Sequence, residues 1–301
     1  MAFRGDQDGS NKGGGGGHVG TSPPRPDGIP KAAGSHKYAD DFQLDGMYWG
    51  ATLRSPHPHA RIKSIRWQRD QAPDGAVCVT AKDLPGPNSV LLVKDDWPIL
   101  ADGIVRHVGE PVALVAAPTK EAARAALAAV EVEYEPLAPI LDLDTAAAEP
   151  PLSELDLDHG DVEPAFAEAH TIVEGTYVTG YQEHIYIECQ AMTGWLEEDG
   201  TAVVQGSMQC PYFIHRSVKH ALGLDSEKVR VIGMPVGGGF GGKEDYPSVI
   251  ALHTLLLAKA CGHPVRIAYD RHEDIICTTK RHPSRIRHRT AVDAKGHLTA
   301  M

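Results

Sequence analysis

Long apolar runs are missing from this sequence: no stretch approaches the ~18 apolar residues of a membrane-spanning helix. The first residues, MAFRGDQDGSNKGGGGG, contain no apolar segment of a secretory signal. Cysteine is scarce. Cys78, Cys189, Cys210, Cys261 and Cys277 form no C-x-x-C and keep no regular spacing, which excludes an iron–sulfur cluster or zinc ribbon held by this chain alone. Isolated thiols of this kind suit a reducing cytoplasm. Basic residues are outnumbered, 29 Lys and Arg against 40 Asp and Glu, for a net charge of −11. That balance argues against a nucleic-acid groove or an anionic membrane surface as partner. The self-similarity of a repeat protein is absent too. What remains is a globular composition, 42% apolar and 23% charged, over 301 residues, enough for about two ordinary domains.

Residues 1–26 are rich in Gly and Pro and cannot bury enough apolar surface to offset chain entropy, so a flexible tail is expected there. From residue 27 to 148 the pattern mixes helix and strand. VALVA (112–116) has the length of a strand, Thr119 caps a helix through about Ala129, and VEVEY (130–134) alternates apolar and acidic side chains. Residues 149–169 are acidic, proline-bearing and aperiodic, the pattern of an interdomain linker. A second unit spans 170–301. Strands are expected at 171–178, 202–206, 228–234 and 265–269. Pro211 opens one helix that Gly223 can end, and Pro247 opens another, apolar on nearly every face and therefore buried. The sum is an α+β fold.

VRVIGMPVGGGFGGKEDYPS (229–248) matches two nucleotide-binding patterns at once, G-x-G-x-x-G and G-x-x-x-x-G-K. Neither fits well. KEDY separates Gly242 from the helix-starting Pro247, whereas a dinucleotide site starts its helix inside the motif, with amides facing the pyrophosphate. Glu244 stands where a P-loop needs Ser or Thr for Mg²⁺, and Glu244 and Asp245 bring negative charge toward a phosphate. A ligand-free glycine turn is the plain alternative. Against it, Phe240 is a large apolar residue inside a glycine run, and Glu244 follows four residues later. Gln209 lies upstream between a strand and the helix opening at Pro211, the usual address of binding groups, where its amide can donate to an oxygen. His57, His59, His184, His215 and His220 have no metal-ligand spacing, and KRHPSRIRHR (280–289), with no interleaved aromatic, reads as a solvated or subunit-facing strand.

GSMQCP, MPVGGGFGGKE, GHPVRIAYDRHEDI, TTKRHPSRIRHRTAVDAKGHL and YQEHIYIECQ together resemble the molybdenum-cofactor subunit of the xanthine dehydrogenase and aldehyde oxidase family. GIPKAAGSHKYADDF, RSPHPHARI, LADGIVRHVGEPVALVAA and VEVEYEPL resemble its α/β hammerhead domain. Order and spacing match from about Val19 onward. The resemblance implies a hammerhead domain over 27–148, followed by the first part of a mixed α+β molybdopterin-binding domain over 170–301. It implies hydroxylation of a purine or related N-heterocycle with water, or alternatively of an aldehyde. The cofactor implied is molybdenum–molybdopterin, or its cytosine dinucleotide form, of which this chain alone is expected to bind little, with [2Fe-2S] and FAD on partner subunits.

By motif, Gln209 corresponds to the glutamine that hydrogen-bonds an oxo ligand of molybdenum, and Phe240 and Gly241 to the loop lining the metal, no side chain being a direct ligand. Glu244 corresponds to the glutamate that contacts substrate in xanthine-oxidising members, where a carboxyl kept neutral by burial can donate to the ring. Ile185, Ile187 and Cys189 depart from the family pattern and are expected to be core substitutions. TAVDAKGHLTAM reads as a strand, a turn and a strand just beginning, so the domain is expected to be cut partway. The family's arginine-bearing loop, most pterin contacts and its general-base glutamate have no counterpart in these residues. A further chain supplying them is therefore expected as a partner, beside iron–sulfur and FAD subunits.

Overall fold

The computed structural model describes residues 20–301; most of the tail expected at 1–26 lies outside the described residues. The described residues up to Lys37 belong to a unit of their own and include the short helix α1 (Gly28–Ala32) and an ion pair of 2.7 Å between Lys31 and Asp27. Tyr38–Met301 forms the second unit.

Its first part holds β1 (Tyr48–Arg54), β2 (Ala60–Trp67), β3 (Val77–Thr80), β4 (Ile104–Val105) and β5 (Pro111–Ala117). Then come α2 (Lys120–Ala126) and β6 (Val130–Pro136). Thr119 caps α2 as its position implied, its hydroxyl accepting from the Ala122 amide at 3.1 Å. Two short helices follow, α3 (Leu143–Ala147) and α4 (Val162–Ala167). The second lies inside the segment that looked aperiodic. It forms because Phe166 finds burial, with the Arg289 guanidinium 4.2 Å from its ring centre.

The remainder is β7 (Thr171–Thr179), β8 (Ala191–Leu196), β9 (Ala202–Gly206), α5 (Pro211–Leu222), β10 (Val229–Gly233), α6 (Pro247–Cys261), β11 (Val265–Ala268), α7 (Arg271–Cys277), β12 (Ser284–Val292) and β13 (Leu298–Ala300). Both proline-opened helices start at their prolines and end before Gly223 and Gly262. Helix α7 was not foreseen. Its signal was Asp270, which caps it by accepting from the Glu273 amide at 2.9 Å.

A seven-stranded mixed sheet runs in the order β10-β9-β8-β11-β1-β5-β3. It sets a block of strands from after the acidic segment beside a block from before it, and the two blocks meet at one parallel junction, Tyr48↔Val265 and Trp49↔Arg266. All of β5 is buried, as is every α6 residue from Pro247 to Ala258. Helix α6 packs its Leu252, Leu255 and Leu257 into the main core with Leu114, Met192 and Ile267. Two three-stranded sheets complete the unit, β4-β2-β6 and β13-β12-β7. The basic segment 280–289 supplies most of β12, where Arg289 pairs with Glu174 at 2.7 Å rather than forming a bare patch. Among the described residues no helix is long and apolar enough to cross a membrane.

His253 sits fully buried in α6, its Nε2 3.0 Å from the Ile99 carbonyl oxygen. A carbonyl only accepts, so Nε2 carries the proton and donates. Burial pushes this imidazole down to about 3. In the unfolded chain it titrates near 6.5, so between those values only the unfolded state takes up the proton. Stability conferred by the neutral imidazole is complete above about 6.5 and falls as pH drops toward 3, by about 1.4 kcal/mol per pH unit. Urea titrations of wild type and His253→Gln from pH 7 to 4 should show a shallower acid decline in the variant. Parallel declines would mean that other groups carry the acid sensitivity.

Candidate active site

The glycine run leaves β10 and turns back over the ends of β8 and β9. What holds it there is buried. The Lys243 side chain is wholly inaccessible; its ammonium donates to Glu188 Oε2 at 2.8 Å and Ser207 Oγ at 3.0 Å. It also lies 4.8 Å from the Tyr186 ring centre. The same Glu188 oxygen accepts from the Gly237 amide at 2.7 Å and the Ser207 hydroxyl at 2.7 Å. Desolvation lowers the Lys243 pKa, and Glu188 opposes the shift. The lysine therefore points into the protein, where it cannot serve a phosphate, and the P-loop reading fails on geometry.

Gln209 is tied to the loop at both ends of its residue. Its amide donates to the Lys243 carbonyl at 2.7 Å, while its Oε1 accepts from Gly241 at 3.1 Å and Lys243 at 3.2 Å. With the oxygen so occupied, the exposed end of this amide is its NH₂. The loop comes so near that a Cβ on Gly239 would stand 2.4 Å from Gln209 Oε1, and one on Gly242 2.6 Å from Tyr186 Cε1. Only glycine allows that approach.

Phe240 sits between them at φ +54°, a left-handed conformation uncommon outside glycine, with its side chain 75% exposed. Gly241 follows at φ +97°. The Glu244 amide donates to the Gly241 carbonyl at 3.3 Å, closing a turn that projects the carboxylate outward. Among the described residues that carboxylate has no hydrogen-bond or ion-pair partner. Gln209, Phe240, Gly241 and Glu244 thus share one exposed rim.

Two expectations need correction. Glu244 was expected in a buried setting and is exposed; the neighbouring carboxyl raised by desolvation, and next by Glu244, is Asp245. The Cys210 thiol, beside Gln209, is raised by burial and then by both carboxylates. Ile185 and Ile187 are not core residues, being 56% and 93% exposed. The segment alternates, sending Tyr186 and Glu188 inward instead.

Those inward residues, with Gln190 and Asp274, are what sequence reasoning missed. Asp274, on α7 and almost wholly buried, accepts from the Tyr186 hydroxyl at 2.7 Å and the Gln190 amide at 2.7 Å. Gln190 Nε2 donates to the Tyr186 oxygen at 2.8 Å and to the Gly242 carbonyl at 2.8 Å. Arg271 donates to the carbonyls of Tyr186 at 2.6 Å and Ile187 at 2.8 Å. The alternation Y-x-E-x-Q (186–190), polar at every second residue, was the available signal.

Among the described residues no group of three or more His, Cys, Asp or Glu is placed to hold a metal ion. The rim suits a group brought with its own ligands, to which the protein offers an outward amide NH₂ and close backbone.

The molybdopterin cofactor-binding domain family matches residues 146–301, and the a/b hammerhead domain of aldehyde oxidase and xanthine dehydrogenase matches residues 33–138. A probable xanthine dehydrogenase subunit from Bacillus subtilis (strain 168) is 36% identical over 92% of this chain and 38% of its own length. The nicotinate dehydrogenase large molybdopterin subunit of Eubacterium barkeri is 33% identical over 91% of this chain and 67% of its own. Among solved structures, quinoline 2-oxidoreductase from Pseudomonas putida 86 superposes with a TM-score of 0.80 at 28% identity, covering 94% of this chain and 38% of that one. The chain thus spans well under half the length of the first of these relatives.

Lys243→Met leaves Glu188 charged and buried without its cation, a loss of about 3–5 kcal/mol. Adding Glu188→Gln should recover part of it. Chemical denaturation of the two variants checks this, and equal losses would mean that the pair does not hold the loop.

Proposed function

The chain belongs to the aldehyde oxidase and xanthine dehydrogenase family, and on that premise we propose that it is part of a molybdenum hydroxylase acting on a purine or related N-heterocycle. The observation that carries this is the rim itself, where Gln209, with its oxygen already occupied, stands beside Phe240, Gly241 and a partner-free Glu244. The residues fit the cofactor: Gln209 would donate from Nε2 to an oxygen it carries, and the backbone at Phe240 and Gly241 would lie against it. When bound, molybdenum–molybdopterin, or its cytosine dinucleotide form, supplies two-electron oxidation of an electron-poor carbon with water as oxygen source.

The rest is the work of this chain. Hydroxylation builds negative charge on a ring nitrogen, and a donor fixed at that edge stabilises it more than it stabilises the ground state. Glu244 can accept from a ring N–H or, protonated, donate to a ring nitrogen. Phe240, held ring-outward, offers a flat apolar surface for an aromatic substrate. An N-heterocycle is supported by the carboxylate at position 244 and by two relatives named for such compounds, nicotinate and quinoline. A [2Fe-2S] subunit, an FAD subunit and a chain with the remaining cofactor contacts and general base would complete a cytoplasmic enzyme. The hammerhead domain at 27–148 and the cofactor domain at 170–301 would be joined by 149–169.

In the assembled enzyme, Glu244→Ala should lower hypoxanthine turnover at least ~100-fold with molybdenum content intact, while benzaldehyde turnover, if present, is spared. Unchanged purine kinetics, or benzaldehyde as the better wild-type substrate, would reject the N-heterocycle assignment. Gln209→Ala should slow every substrate alike, by ~10–100-fold, as loss of a partner to a metal's ligand does. An effect confined to one substrate would make Gln209 a substrate contact instead.

A further inference from the structure

The buried polar residues behind the glycine loop are ordered by hydrogen-bond polarity, and the order leads to Gln209. The Tyr186 hydroxyl donates its one hydrogen to Asp274 Oδ1, 2.7 Å away. The Tyr186 oxygen is then left as an acceptor, and Gln190 Nε2 donates to it at 2.8 Å. The second Nε2 hydrogen of Gln190 goes to the Gly242 carbonyl at 2.8 Å. Turning this amide over would set its oxygen against that carbonyl, acceptor against acceptor, and nothing pairs with Gln190 Oε1 to favour the turn.

The next link is covalent. In a trans peptide, the carbonyl of Gly242 and the N–H of Lys243 point in opposite directions from one rigid plane. Gln190 holds the plane by its carbonyl edge, and the amide edge donates to Gln209 Oε1 at 3.2 Å. We propose that Gln190 is a positioning residue for Gln209: through the Gly242–Lys243 peptide plane it fixes which face the Gln209 amide presents, an NH₂ and never an oxygen. Asp274, on helix α7, sets the polarity of this relay through the Tyr186 hydroxyl, from behind the glycine loop.

The inference rests on the function proposed for Gln209 and deepens it. Gln190→Met removes both donated bonds at similar volume. In the assembled enzyme it should lower kcat by ~10–100-fold for hypoxanthine and any aldehyde alike with KM unchanged, the loss typical of an outer partner at a metal site. Gln190→Met/Gln209→Ala should be no slower than Gln209→Ala alone, because both changes remove one function. In the isolated chain, amide exchange at Lys243 should quicken in Gln190→Met, and less so in Tyr186→Phe, which keeps the ring and deletes one hydroxyl.

Multiplying losses in the double variant, or an equally protected Lys243 amide in both single variants, would overturn the relay. If Gln209→Ala leaves turnover untouched, the function assigned to Gln209 falls, and exchange at Lys243 alone then judges the relay.

Discussion

A lysine ammonium and a glutamate, both withdrawn from water, hold this site together. Lys243 and Glu188 are far apart in sequence, and their contact joins the segment before β8, the end of β9 and the glycine loop at one point. Such a pair is poor value as simple stabilisation, since both charges lose hydration. Its effect is positional. An unpaired charge at either member is so unfavourable that the loop has one seating, in which Ser207 and the Gly237 amide also donate to Glu188 Oε2 while the Ala39 amide takes Oε1. The strained Phe240 and the close approach at Gly239 persist because the loop cannot relax without breaking this contact.

The fold serves that arrangement by bringing strand ends together. Parallel β9 and β10 deliver Gln209 and the glycine run to the same edge, and α6, buried on all sides, fixes the far end of the loop. Helix α7 contributes Asp274 from behind. The rim residues are surface groups on a rigid backing, as a site that must hold donor geometry to fractions of an ångström requires.

Local elements were legible because their signals are local. Thr119 before α2, Pro211 and Gly223 around α5, and Pro247 and Gly262 around α6 each act within one turn of their own position. The rim was legible through motif resemblance, since Gln209 and Phe240–Glu244 lie in two short recognisable strings. Burial was harder. Lys243 completed a G-x-x-x-x-G-K string that fitted a phosphate loop poorly, but its inward direction stayed hidden because its partner Glu188 sits in another segment. Glu244 looked buried and Ile187 looked like core for the same reason: which of two alternating residues faces inward depends on what the chain packs against. The α7 carboxylate had only Asp270's cap to announce its helix.

The single junction between β1 and β11 bears on how the chain acquires its structure. On one edge of β1, Tyr48 and Trp49 pair with Val265 and Arg266. Emerging from a ribosome, β1 can pair at once with β5 on its other side, but its second edge stays open until almost the whole described sequence has been synthesised. Contacts closed over so long a loop form slowly, and an open edge beside apolar β5 invites pairing with a neighbouring chain. Helix α6, made just before β11, is the element able to shield that half-sheet in the interval. Order of synthesis, as much as final packing, then favours a helix with no polar face at this place in the chain.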